Sequence, residues 1–454
     1  SGLDTTTVIW GDNNIDIDPF FVDTANGNYH LLATSQLINA GHPDSTDSDG
    51  TRADIGAYPY LNSYSGPTWY ISESGTDTTA TGASGDPFRS IQAGINFSSN
   101  TDSVTVAPGT YVENINFRGR NIEVVGEDRE TTIIDGDSSG SVVIFSSGED
   151  STTVLSGFTI QNGMAINAGG LFISYSSPTL NNLTVVNNTA SHNGAGFLIE
   201  HSNAHLDNIY LRNNISGYDG GGLQWVGSDG GSPMLKNMVV DGNTCFRLGG
   251  GLNLESVNGI IINNILLVNN TATVEYGGGM WINGNSVPDF TYKLDNVSVI
   301  NNNSPSGGGI AIQAANVDIV NSIFQNNSEE EIGFSSWGPS SHLNITYSNI
   351  ENGMVDIDTT NGEITWGDGN IDVDPMFVDS ANGNYHLLAS SQLINAGHPD
   401  STDADGTIAD IGAYPYLTDN TEPVWYINTA GNDTTGTGTS VNPFASIQAG
   451  INFS

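Results

Sequence analysis

Asn296-Val297-Ser298-Val299-Ile300-Asn301-Asn302 is one copy of a phrase that recurs through the middle of the chain. The phrase is an asparagine, four mostly apolar or small residues, then a pair of asparagines. Asn182 leads to Asn187-Asn188, Asn208 to Asn213-Asn214, Asn264 to Asn269-Asn270 and Asn321 to Asn326-Asn327. Asn237 leads to Gly242-Asn243, a looser copy, and Gly157 opens an earlier one. Successive starts lie 25, 26, 29, 27, 32 and 25 residues apart. A second phrase sits between them, a glycine cluster followed by an alternating strand. Gly220-Gly221-Gly222 precedes Leu223-Gln224-Trp225, Gly249-Gly250-Gly251 precedes Leu252-Asn253-Leu254, and Gly277-Gly278-Gly279 precedes Met280-Trp281-Ile282.

A repeat of this period is the signature of a solenoid. Leu252 and Leu254, like Phe197 and Ile199, fall on one side of an alternating strand. One coil cannot bury that side alone, whereas stacked coils bury it as a continuous column. Asparagine tolerates the left-handed backbone region, so it suits a corner repeated in every coil. There its side chain can bond to the coils above and below, as in other stacked-strand ladders. The ladder accounts for the asparagine spacing without invoking glycosylation of the N-x-S/T sequons it contains, such as Asn182-Leu183-Thr184. About eleven coils fit between residues 104 and 352.

Charge narrows the function classes. Nine Lys plus Arg against 50 Asp plus Glu leave a net charge of −41. A nucleic-acid partner is excluded, because it needs a Lys/Arg-lined surface. Anionic membranes and polyuronate substrates are disfavoured for the same reason. One cysteine, Cys245, rules out a disulfide within the chain and reads as a buried, inert thiol. No apolar run approaches 18 residues, so no membrane insertion is expected in this segment. Without an initiator Met or a signal pattern at Ser1, the chain reads as a piece of something longer.

A second, longer repeat frames the coils. Gly11-Asp12-Asn13-Asn14-Ile15-Asp16-Ile17-Asp18-Pro19 returns as Gly367 to Pro375, an offset of 356 residues. The same offset carries Ala25–Leu32 to Ala381–Leu388, Trp69-Tyr70-Ile71 to Trp425-Tyr426-Ile427, and Ser90–Ser98 to Ser446–Ser454. The chain is thus expected to be a window on a tandem array. Residues 1–62 would close one unit and 66–355 would form the β-helix of a complete one. Residues 356–416 would close it, 417–423 would link, and 424–454 would start the next. Apolar residues at 88, 91, 95 and 97 predict a short amphipathic helix over 88–97 that shields the first coil.

Trp69-Tyr70-Ile71, Asp86-Pro87-Phe88 and Ser90-Ile91-Gln92-Ala93, with Val106-Ala107-Pro108-Gly109-Thr110-Tyr111, resemble the N-terminal cap of bacterial right-handed parallel β-helix proteins of the pectin-lyase-like superfamily. Asp374-Pro375-Met376-Phe377-Val378, Ile394-Asn395-Ala396-Gly397 and Ala409-Asp410-Ile411-Gly412-Ala413-Tyr414 are similar to the choice-of-anchor Q segment of bacterial surface proteins. The resemblance implies an all-β, right-handed parallel β-helix at the cell surface. It leaves activity open, since that fold hosts polysaccharide lyases, hydrolases, adhesins and stalks. Family lyases use an Arg or Lys base beside acidic calcium ligands, and family hydrolases use clustered Asp pairs. Lys236, Lys293, Arg212 and Arg247 are scattered here without such a cluster.

The sharpest site candidate is the acidic loop Asp44, Asp47, Asp49 and Asp54, repeated as Asp400, Asp403, Asp405 and Asp410. Carboxylates at alternate positions before a glycine suit Ca²⁺, a hard cation that takes oxygen ligands. A solvated Asx-turn loop is the other reading, and the EF-hand pattern is not met. Asp135-Gly136-Asp137 is a weaker metal signal, and Glu200, His201, His205 and Asp207 form the densest titratable patch on the coils. Phe172 and Trp281 should face outward, where they could stack on sugar rings or pack under a loop. The expected function is an extracellular stalk or filament of near-identical units, calcium-stiffened at its joints, whose partners are other units or copies of itself. A polysaccharide lyase or hydrolase and a multivalent glycan-binding adhesin are the rivals.

Overall fold

The computed structural model describes residues 14–228, 230–285, 291–420 and 424–454. Gly11–Asn13 of the long repeat and residues 421–423 of the linker lie outside the described residues. The chain forms two compact units, residues up to Ala107 and residues from Pro108 onward.

In the second unit three parallel sheets wind round one core. The longest carries the strands Val154–Gln161, Thr179–Val186, His205–Arg212, Met234–Asp241, Ile261–Val268 and Thr291–Ile300. A nine-stranded sheet runs from Ile115–Asn116 to Ile332–Phe334, and a five-stranded one from Met164–Ala165 to Thr271–Ala272. The result is a parallel β-solenoid of about nine turns, one per strand of the nine-stranded sheet. The eleven coils expected were an overcount. Ser341–Thr346 and Gly362–Trp366 extend the long sheet without adding a strand to the nine.

Register follows the sequence repeat. Leu155 sits over Leu180, then Leu206, Leu235, Ile262 and Leu294, all buried. Each step equals the interval between successive starts of the asparagine phrase, counted from Gly157. Those asparagines also explain why the strands break strict alternation. Leu180 and Leu183 both point inward although they lie three positions apart. Asn182 between them has φ +52°, and Asn208, Asn237, Asn264, Asn296 and Asn321 match it. One left-handed residue in mid-strand bends the chain and puts the next apolar residue back on the core side.

The second asparagine of each pair forms a buried ladder. Asn214 Nδ2 donates to Asn243 Oδ1 (2.9 Å) and to the Val185 carbonyl (3.0 Å), and its backbone N–H donates to the same Oδ1 (3.0 Å). Asn188, Asn243, Asn270 and Asn302 repeat this pattern. A carboxylate ends the ladder. Asn327 gives both its backbone N–H and its Nδ2 to buried Glu331. Burial pushes that carboxyl up to about 8.

Trp281 takes the second of its two expected places, under a loop. It lies on the outer side of its strand but is 1% exposed, packed against Tyr276 (5.5 Å) and Trp337 (6.3 Å). It is not free to stack on a sugar ring. Phe172 is half-buried.

In the first unit, Thr68–Ile71 pairs in parallel with Ser103–Val106. The helix there spans Ile91–Phe97, shorter than the expected 88–97, because the Ser90 side chain accepts the Ala93 N–H as N-cap. Phe88 stacks instead in an aromatic group with Trp69 and Phe97.

Candidate functional site: the repeated joint

Two copies of one arrangement occur, one inside each compact unit. In the first, a hairpin of Phe21–Asp23 and Asn28–Leu31 leads into the acidic loop. In the second, Phe377–Asp379 and Asn384–Leu387 do the same. The first acidic loop is followed by the strand Thr68–Ile71 and the helix Ile91–Phe97, the second by an isolated bridge at Ile427 and the helix Ile447–Asn452.

The acidic loops are organised by their own backbone. Asp405 Oδ1 accepts from the Thr407 N–H (3.1 Å) and hydroxyl (2.7 Å), and Oδ2 from the Thr418 N–H (2.9 Å). Asp403 Oδ2 accepts from the Asp410 N–H (2.9 Å). Asp410 takes the Asn395 and Tyr416 N–H groups, each at 2.7 Å. Asp49, Asp47 and Asp54 hold the matching groups in the first copy. Asp44 and Asp400 stay exposed at the loop edge. Among the described residues no three His, Cys, Asp or Glu side chains are placed to share one metal ion.

Electrostatics separate the two copies. Asp410 is 1% exposed, while Asp54 is only part-buried. The cause is the solenoid beside Asp410. Asn296 Nδ2 donates to the Gly412 carbonyl (3.2 Å), the Gly412 N–H donates to the Asn321 carbonyl (2.8 Å), and the Ala413 N–H donates to Ser298 Oγ (3.0 Å). The His398 N–H donates to Asn321 Oδ1 (2.7 Å), and Tyr385 packs with Leu266, Val268 and Ile300. The closing segment thus lies along the outer face of the long sheet. Burial, then the neighbouring carboxylates, raise Asp410 to about 7 and Asp403 to about 6.

Residues 389–418 also hold residues 433–452. Asn395 Nδ2 donates to the Asn452 carbonyl (2.9 Å), and Asn452 Nδ2 donates to the carbonyls of Ala389 (2.9 Å) and Ser391 (2.6 Å). The Tyr416 hydroxyl donates to the Gly436 carbonyl (2.6 Å), Thr418 Oγ1 to the Thr437 carbonyl (3.0 Å), and the Ala389 N–H to the Asp433 carbonyl (2.7 Å). In the first unit the donors are Asn39, Asn96, Tyr60, Asn62 and Ala33. Their acceptors are Asn96, Ala33 and Ser35, Ala80, Thr81 and Asp77. Every residue number differs by 356. Tyr60 meets Phe97 at 5.3 Å, and Tyr416 meets Phe453 at 5.6 Å. Thr418 and Asn420, in the described part of the linker, are both tied down.

The remaining candidates are dispersed. Asp135 accepts from Gln161 and Asn162 (2.8 Å each). His201 stacks on Tyr175, while Asp207, on the following strand, accepts from Asn237. Arg247 is held by Asp219, Lys293 lies 3.6 Å from Asp295, and Arg212 lies over Tyr210. Cys245 is buried, and burial raises its thiol to about 12. His386 stacks on Tyr414 at 4.5 Å. Sequence reasoning missed the joint's key residues, Asn395, Tyr416 and Asn452. Their only signal was retention across the long repeat.

No protein-family model matches the chain, and neither does any curated protein. Among solved structures it is similar to a pectate lyase, with 15% identity, TM-score 0.45, and coverage of 77% of this chain and 96% of that one. A rhamnogalacturonan lyase matches at 12% identity and TM-score 0.27, covering 78% and 96%. A pectin methylesterase in complex with a hexasaccharide matches at 11% identity and TM-score 0.25, covering 65% and 80%. None of these likenesses bears on activity.

Proposed function

We propose that the chain is part of an extracellular stalk or filament of tandem β-helix units, each closed by a choice-of-anchor Q-like segment that grips the head of the next. The observation that carries this reading is the joint. One set of side-chain hydrogen bonds recurs at two places 356 residues apart, with donors and acceptors conserved by identity or by chemistry. A flexible tether between independent binding or catalytic modules needs no such set. On this reading the Ile91–Phe97 helix caps the first coil of its unit, and the acidic outer surface keeps the assembly soluble. Calcium stiffening belongs to the proposal on electrostatic grounds. Asp403, Asp405 and Asp410 repel one another, and a divalent cation would offset that.

Electron microscopy of the native material tests the reading. Rods with a regular axial repeat are expected, each nine-turn stack contributing ~43 Å at ~4.8 Å per turn. Beads on a flexible string would overturn it.

A further inference from the structure

The five-stranded sheet turns an uncharged face to solvent, on which Met164, Thr189, Ile215, Thr244 and Thr271 are the strand residues. Its strands are two residues long, so alternation decides each side chain's direction. Ala190, Ser216, Cys245 and Ala272 turn inward and are buried. Met164, Ile166, Ile215 and Phe246, with Tyr218 and Val274 beside them, are 40% to 68% exposed. Residues 162–168, 187–194, 213–218, 242–246 and 269–274 contain no Asp, Glu, Lys or Arg, in a chain of net charge −41. Arg247, at the edge, is neutralised by Asp219 at 2.8 Å and lies 3.7 Å from Glu275. Acids lie along its border, at Asp219, Asp241 and Glu275 beside the coils, at Asp135 and Asp137 before the face and at Glu329 and Glu330 after it.

We propose that this face binds a second copy of the chain, side against side. Charge chooses the occupant. Two such acidic chains repel wherever carboxylates meet, and the face itself carries none, its acids lying along the border. An anionic membrane would need a basic rim, and the single arginine is already paired. The exposed apolar area is on the order of 600 Å² per copy, taking ~200 Å² for a large side chain. That approaches the ~800 Å² each partner contributes to a standard interface. A two-fold arrangement lets one patch serve both copies. A shift along the axis would bring Asp137 or Glu330 onto apolar side chains, which fixes the register. The pairing is lateral, so it stands or falls independently of whether units also join end to end.

The test is sedimentation velocity on the whole chain over a concentration series, at low salt and at ~1 M salt, where the Debye length is ~3 Å. A reversible dimer is expected, tighter in salt because the like charge of the two copies is screened. Ile215→Asp combined with Phe246→Asp should raise the dissociation constant at least tenfold while leaving the melting temperature unchanged, since both side chains already face solvent. Val112→Asp, at an exposed apolar residue elsewhere, should leave the dimer intact. A wild-type chain that stays monomeric in both salts overturns the proposal. So does a dimer that survives the double substitution, or one that Val112→Asp weakens equally.

Discussion

Asn243→Ala removes one rung from the middle of the buried ladder. Asn243 is fully buried. Its Nδ2 donates to the Leu211 carbonyl (2.8 Å) and to Asn270 Oδ1 (3.0 Å), and its Oδ1 accepts the Asn214 backbone N–H (3.0 Å) and Nδ2 (2.9 Å). Asn214 Nδ2 keeps a second acceptor, the Val185 carbonyl. The Leu211 carbonyl and the Asn214 N–H lose these partners in the core. Each buried group left unmade costs about 1–3 kcal/mol, so the rung is worth about 2–6 kcal/mol. The control is Asn264→Gly on the outer row. Asn264 sits at φ +55° and makes one exposed bond, accepted by Asn237 Oδ1 at 3.1 Å. Glycine accepts that backbone freely, so the loss there should stay below about 1 kcal/mol. Stacked coils need not unfold in one step. Urea denaturation should therefore be paired with native-state hydrogen exchange, which reads protection coil by coil. Asn243→Ala should lower protection most in the coils of Asn214 and Asn270. Equal losses for the two variants, or a loss spread evenly over all coils, would refute the ladder as the source of core stability.

Three further outcomes are expected. The Glu331 carboxyl is raised from its ordinary value to about 8, so the folded state holds that proton more tightly than the unfolded chain. Its contribution is present near pH 4.5 and is lost as pH rises towards 8; thermal melts should fall over that window, and Glu331→Gln should flatten the dependence. Asn452→Ala removes the bonds to Ala389 and Ser391, and should speed amide exchange in residues 424–454 while leaving the coils protected. Adding Ca²⁺ to chelator-treated protein should slow exchange at the joint and leave the coil melt where it was; an unchanged joint would reduce the acidic loop to a plain turn.

The solenoid was legible because its spacing is geometric. A coil has a perimeter, and any residue that must occupy the same corner recurs at that perimeter. Asn182, Asn208 and Asn237 therefore announced the register before any contact was known. The nine turns were harder to count. A strand at the end of the stack, such as Gly362–Trp366, has the same composition as an interior one but lacks neighbours on the other sheets. Which of its two expected places Trp281 takes, free for a sugar ring or under a loop, was undecided for a related reason. Alternation tells which side a residue faces, while its cover comes from Trp337, 56 residues away, which no local pattern reports.

The joint was illegible for a different physical cause. Most of its acceptors are backbone carbonyls, at Ala389, Ser391, Gly436 and Thr437, and a carbonyl carries no sequence signature. Only the donors are visible, as asparagines and tyrosines indistinguishable from surface residues. The acidic loop drew attention because carboxylates at alternate positions look like cation ligands. In the structure they instead collect backbone N–H groups from both sides of the loop, at Thr407, Asp410, Asn395, Tyr416 and Thr418. That use sets the geometry of Asn395 and Tyr416, the residues that reach Asn452 and Gly436. Asp410→Asn therefore separates two roles. The amide keeps an oxygen for one N–H and turns a donor towards the other, so it should loosen the grip of Tyr416 on Gly436 with or without calcium. A variant that loses only a calcium response, and keeps the same exchange rate in residues 424–454 without the ion, would show that the carboxylates serve the cation rather than the backbone.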